Sequence, residues 1–342
     1  MNKEIAIELK NIVKQFGDAT AVGGIDLTIN KGELVTFLGP SGCGKTTTLR
    51  LVAGLELPTS GAIFIDGKDV SQLSASDRNV GMVFQSYALF PHMTVLDNVI
   101  YGPVTRGENK KQATERAHEV LSLIGLDGLS ARYPSELSGG QQQRVAVARA
   151  IVQQPDVLMF DEPLSNVDAK LRRKVRNEIR ELQQKFGITA VYVTHDQEEA
   201  LAVSDKVVVM KDGQIEQVGT PEELYAQPNS RFVANFIGDA NLIDGKIQQN
   251  KFIAGDWRVD IEGDESINAS ISIRPELIKV TPNETDLVGR VMSATYLGSK
   301  MEYEVKTNFG ELLVSTPAND ERFSVNSDIN LLIRQQDIIR VS

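Results

Sequence analysis

The segment Gly39-Pro-Ser-Gly-Cys-Gly-Lys45-Thr46 limits the fold more than any other part of the chain. It follows the apolar run Leu34–Leu38, and Thr46–Ala53 after it reads as a helix start. A strand that turns through glycines into a helix directs several backbone N–H groups inward, at the positive end of that helix. Such a loop suits phosphate oxygens. Lys45 has the reach for the terminal phosphates of a nucleotide, and the Thr46 hydroxyl can bind Mg²⁺. The pattern G-x4-G-K-[ST] arises by chance in roughly one of a hundred chains of this length. Here the strand before it and the helix after it supply the context that the motif requires.

Val80–Phe84, Val157–Phe160 and Ala190–Thr194 are further short apolar runs, each followed by polar residues. Buried parallel strands read this way, with functional side chains at their carboxyl ends. Ile63–Ile65 reads as a strand that turns at Asp66-Gly67, and Leu171, Val175, Ile179 and Leu182 recur at helical spacing. The run ending at Phe160 delivers two acids. Asp161 can hold Mg²⁺ through water, and Glu162 is placed to polarise an attacking water as general base. Leu137-Ser138-Gly139-Gly140-Gln141 opens a helix with Val145, Ala148 and Ile151 on one side. A serine hydroxyl and exposed N–H groups at a helix start form a second anion site. The chain thus has two phosphate half-sites but one glycine loop of the first kind.

A length of 342 residues suggests two domains, and the texture changes after Phe236. Ala269–Ile273, Met301–Val305 and Glu311–Val314 mix small, polar and apolar residues, with turn residues about every 8–12 positions, as in a small all-β barrel or sandwich. The single cysteine, Cys43, excludes an intramolecular disulfide and a cysteine-cluster metal site. No apolar run approaches the roughly 18 residues of a membrane-spanning helix. The start MNKEIAIELK lacks the apolar core of a secretion signal. The expectation is a cytoplasmic chain without its own anchor. Of the net charge of −10, half falls on residues 241–342, with 11 basic and 16 acidic residues. Acidity concentrated there disfavours a nucleic-acid backbone as main partner.

In motif order, residues 5–236 closely resemble the ATP-binding subunits of ABC transporters. The resemblance implies an α/β P-loop ATPase domain with a helical insertion at about residues 86–153. It implies that Gly39, Pro40, Ser41, Gly42, Cys43, Gly44, Lys45, Thr46 and Thr47 hold ATP. It also implies that Thr46, Gln85 and Asp161 serve Mg²⁺, and that Glu162, His195 and Gln85 are catalytic. In this family the LSGGQ segment of one subunit caps the ATP of another, which assigns Ser138, Gly139, Gly140 and Gln141 to ATP across a homodimer. Phe16, in Lys14-Gln-Phe-Gly17, matches the aromatic that stacks on adenine. The dimer-contact loop, usually Ser-Ala-Leu-Asp, is Ser165-Asn166-Val167-Asp168 here: Asp168 is kept and Asn166 departs. Tyr87, Phe90 and Met93 match a region that docks a helix of the membrane subunit.

Residues 237–342 resemble the OB-like domain appended to importer ATPases for sugars, polyamines, ferric iron and phosphonates. Ile273-Arg274-Pro275-Glu276 and Thr295-Tyr296-Leu297-Gly298 carry that likeness. With one tryptophan, Trp257, and an acidic balance, this all-β OB-like domain reads as a dimer-contact or regulatory module. The resemblance implies a homodimer, two integral-membrane permease subunits, a periplasmic or surface solute-binding protein and no nucleic acid. It places the chain peripherally on the cytoplasmic face of the inner membrane. The alternative is a soluble ABC ATPase acting on the ribosome or nucleic acid.

Overall fold

A computed structural model describes residues 4–164, 169–262 and 264–342. The chain divides into two compact units, Met1–Pro221 and Glu222–Ser342.

The first unit is built on a six-stranded sheet of order β10-β9-β3-β8-β7-β6. Its strands are β3 (Leu34–Leu38), β6 (Val80–Val83), β7 (Val157–Asp161), β8 (Thr189–Thr194), β9 (Lys206–Lys211) and β10 (Gln214–Gly219). All neighbours pair in parallel except β9 and β10. The apolar runs have a physical reason: alternate side chains enter different cores. Leu158 and Phe160 of β7 and Tyr192 of β8 join one core, whereas Val157, Met159 and Val193 join the other. Each such fully buried side chain contributes about 1.5–3 kcal/mol.

One core lies under a four-stranded antiparallel sheet, β2-β1-β4-β5. Its strands are β1 (Ile5–Phe16), β2 (Ala19–Asn30), β4 (Ser60–Ile65) and β5 (Lys68–Asp69). Helix α1 (Lys45–Ala53) contributes to the same core. The other core holds the helical insertion, α2 (Val95–Thr105), α3 (Lys110–Leu123) and α4 (Gly139–Ile151), together with α5 (Ala169–Phe186). Val175, Ile179 and Leu182 of the α5 stripe are buried. Helix α6 (Gln197–Val203) links β8 to β9.

The second unit starts with α7 (Pro221–Ala226) and α8 (Arg231–Phe236). Two five-stranded antiparallel sheets follow, of order β13-β12-β11-β14-β20 and β15-β19-β16-β17-β18. The first contains β11 (Asn241–Gln248), β12 (Lys251–Ala254), β13 (Trp257–Asp260), β14 (Ser266–Ile273) and β20 (Ile339–Val341). The second contains β15 (Lys279–Thr281), β16 (Val288–Tyr296), β17 (Lys300–Thr307), β18 (Gly310–Pro317) and β19 (Asp328–Leu332). They share one apolar core that includes Phe252, Ile271, Tyr303 and Val314.

The unit boundary falls at Pro221/Glu222, ahead of the expected 236/237. Arg274 gives the reason. Only 1% exposed, it donates to the carbonyls of Tyr225, Ala234, Gly238 and Asp239. Its guanidinium also stacks over the Tyr225 ring at 4.1 Å. The two helices therefore belong with the β strands.

Candidate active site at the carboxyl edge of the sheet

Parallel pairing of β3, β8, β7 and β6 puts their carboxyl ends on one edge. That edge collects the glycine loop after β3, Gln85 after β6, Asp161 and Glu162 at the end of β7, and His195 after β8.

The glycine loop is tightly enclosed. A side chain on Gly39 would sit 2.3 Å from the Met210 carbonyl oxygen. Gly44, the residue before α1, has φ 100° and would place a Cβ 2.5 Å from the Ala21 carbonyl oxygen. Glycine is required at both positions. Cys43, Gly44 and Lys45 are buried, Thr46 and Thr47 half-buried, and Pro40, Ser41 and Gly42 exposed. Lys45 Nζ donates to the carbonyls of Gly39 at 2.8 Å and Pro40 at 2.9 Å. Its cation thus lies inside the loop.

Asp161 accepts a hydrogen bond from the Thr46 hydroxyl, joining β7 to α1. Burial first, and the Glu162 carboxylate second, raise the Asp161 pKa; Arg50 and Thr46 oppose them. A cation at this point would relieve that cost. Among the described residues no cluster of three or more His, Cys, Asp or Glu side chains could hold a metal. One hydroxyl and one carboxylate instead suit Mg²⁺, which keeps waters and takes phosphate oxygens.

Glu162 and His195 come together, with Oε2 3.3 Å from Nδ1. Glu162 has φ 44°, a left-handed shape costing a non-glycine residue about 1–2 kcal/mol. Its N–H donates to the Val193 carbonyl at 3.0 Å, which ties the turn to β8. The residues flanking His195 are also pinned. Asp196 accepts from Arg172 of α5 at 3.1 Å and caps α6 through the Glu199 N–H. Glu199, 4% exposed, accepts from Thr194 at 2.8 Å and Tyr192 at 3.2 Å.

Ser138 caps α4, and Gln141 returns the bond to the Ser138 N–H at 2.9 Å. Within one chain these two bond each other and no glycine-loop group. Gly139 faces open space, while Gly140 is buried. Phe16 ends β1 half exposed, with the Lys14 ammonium 4.7 Å from its ring centre. Gln85 is exposed. Asp168, with Ser165, Asn166 and Val167, lies outside the described residues.

Sequence reasoning missed the groups that hold the site from behind. Arg172, Glu199 and Asn98 are among them, and Arg149 of α4 reaches the carbonyls of Tyr87 and Ala88. No local signal marks an arginine whose acceptor is 62 residues away.

The ABC transporter family model matches residues 22–165, and the TOBE domain model matches residues 271–340. The chain belongs to the ABC transporter family, among its ATP-hydrolysing subunits. It is 52% identical to "Fe(3+) ions import ATP-binding protein FbpC 1" of Rhizobium meliloti (strain 1021), over 98% of each chain. It is 50% identical to the FbpC protein of Brucella abortus (strain 2308), over 97% of each chain. A solved dimeric ATP-binding cassette in a post-hydrolysis state, bound to ADP and Pi, matches with a TM-score of 0.55 and 32% identity. That match covers 63% of this chain and 98% of the other. A nucleotide-free cassette matches with a TM-score of 0.58 and 30% identity, covering 64% and 92%. The alternative of an ATPase acting on the ribosome or nucleic acid finds no support among these relatives.

Proposed function

We propose that this ATPase works as a homodimer beneath two integral-membrane permease subunits, on the cytoplasmic face of the membrane, and drives uptake of ferric ion. The observation that carries the reading is likeness along the whole length. Relatives 50–52% identical over 97–98% of this chain, β module included, are named Fe(3+) ions import ATP-binding proteins. Polyamine, phosphonate and sugar are the competing solutes, delivered in each case by a separate solute-binding protein.

In this reading Phe16 stacks on adenine. Lys45 exchanges its bonds to the Gly39 and Pro40 carbonyls for the β- and γ-phosphates, a charge-assisted gain. Thr46, Asp161 and Gln85 would hold Mg²⁺, which supplies charge neutralisation on the phosphates. Glu162 takes the proton of the attacking water as its oxygen bonds to the γ-phosphorus and ADP leaves. His195, whose Nδ1 lies 3.3 Å from the Glu162 carboxylate, faces the γ-phosphate. Ser138–Gln141 of the second subunit close over the same nucleotide, and Asp168 contacts the dimer interface. Two-fold symmetry makes both composite sites with one self-complementary interface. ATP closes the pair and moves the docked permease; loss of the γ-phosphate reopens it.

The test is uptake of radiolabelled ferric ion by cells that lack this chain and by cells in which it is restored. Restored ferric uptake, with polyamine, phosphonate and sugar uptake unchanged, is expected. Ferric uptake independent of the chain sinks the solute assignment.

A further inference from the structure

The segment leading from β6 into the helical insertion has an unfavourable backbone shape. Tyr87 (φ 59°) and Ala88 (φ 47°) are both left-handed, and neither is glycine. Each suffers the clash of Cβ with the following carbonyl, so two in succession need an outside hold.

That hold comes from α4. Arg149 Nη1 donates to the Ala88 carbonyl at 2.6 Å, and Nη2 donates to the Tyr87 carbonyl at 2.9 Å. The guanidinium carbon lies 5.8 Å from the Phe90 ring centre. Among the described residues no carboxylate pairs with this half-buried cation; the two peptide carbonyls are its polar partners. A planar fork can serve two successive carbonyls at once, which a single ammonium does poorly. Further along, Asn98 of α2, 0% exposed, accepts from the Phe90 N–H and donates to the carbonyls of Phe90, Met93 and Thr94. The chain from Tyr87 to Thr94 is therefore fastened to α2 and α4. Phe84, Gln85 and Ser86, all exposed, span the interval back to β6.

We propose that Arg149 is a positioning residue for Gln85. It keeps Tyr87-Ala88 left-handed, so that any displacement of the helix capped by Ser138 is passed to Gln85. The same helix thus carries one phosphate half-site at its start and governs a second reactive group about three turns later. Arg149 touches no reacting atom in this scheme. The proposal rests on the role of Gln85 proposed above.

The test is steady-state ATP turnover of the full chain, with thermal unfolding as a check on folding. Arg149→Gln and Ala88→Val should each lower kcat about tenfold, the equivalent of one strained residue, with KM for ATP within about twofold. Ala88→Val leaves Arg149 in place, so it carries the test if Arg149→Gln does not fold. Arg149→Lys should resemble Arg149→Gln. Ala88→Gly removes the Cβ clash and should recover kcat about fivefold in the Arg149→Gln background, more than it changes the wild type. Absence of that rescue makes Arg149 a structural residue only and overturns the proposal. Wild-type turnover in both Arg149→Gln and Ala88→Val, beside a slow Gln85→Ala, overturns the proposal and leaves the reading of Gln85 intact. Wild-type turnover in Gln85→Ala overturns both.

Discussion

Replacing Glu162 by glutamine isolates one act of the reaction. The Glu162 carboxylate meets His195 Nδ1 at 3.3 Å, and its backbone N–H is fixed to Val193. Glutamine has the same length and keeps an oxygen that can face His195 Nδ1. It cannot take a proton from water. The side chain is only partly buried, 26% exposed, so fold stability should change by no more than about 0.5 kcal/mol. Loss of a positioned general base costs about 10²–10⁴ in rate, or about 3–5 kcal/mol of barrier at 1.36 kcal/mol per decade. Phosphate release should fall by that factor, while nucleotide binding by fluorescence titration stays near wild type. In the proposed cycle loss of the γ-phosphate reopens the pair, so the variant should accumulate as an ATP-bound dimer on size-exclusion chromatography. Turnover within about threefold of wild type refutes the general-base role, since a base contributing under 0.7 kcal/mol is none. A large loss of ATP affinity instead assigns Glu162 to binding.

Lys45→Ala removes the cation inside the glycine loop and should abolish charge-assisted phosphate binding; undiminished ATP binding by titration contradicts the loop's role. Ser138→Ala in one subunit of a mixed dimer should impair the site formed with the other subunit's Lys45. Pairing it with Lys45→Ala on the same chain or on opposite chains separates the two arrangements by residual turnover. Glu199 has a pKa raised chiefly by burial, against the pull of Thr194 and Tyr192. Its folded form therefore binds the proton more tightly than the unfolded chain does. Stability falls as pH rises from the ordinary glutamate value through the raised one. Glu199→Gln should remove that component, seen as a flatter profile of thermal midpoint against pH; an unchanged profile rejects it.

The central sheet was legible because its chemistry and its burial are local. Val157–Phe160 is apolar throughout and Leu34–Leu38 is apolar except at Thr36, since each strand feeds two cores, and the candidate site residues sit at fixed offsets from their ends. Of the antiparallel sheet only β4 and its turn at Asp66-Gly67 were legible; β1 and β2 were not. The pairing of β1 breaks register between Leu9 and Ile12, where Asn11 has φ 46°, and the two-residue alternation is lost there. The supports of the site were invisible for another reason. Arg149, Arg172 and Asn98 act on main-chain or polar groups that the fold, not the sequence spacing, brings near. Composition changes after Phe236, whereas α7 and α8, which look like the helices before them, have carbonyls that answer to Arg274.

That last feature decides where this polypeptide can be severed. A break after Phe236 takes away the carbonyls of Tyr225 and Ala234 and leaves the buried Arg274 fork short of acceptors, at about 1–3 kcal/mol for each donor left unmet. A break at Pro221 keeps every acceptor of that fork on the same fragment. The solvation of one guanidinium, rather than a shift in composition, marks where a cut leaves the β module its own acceptors.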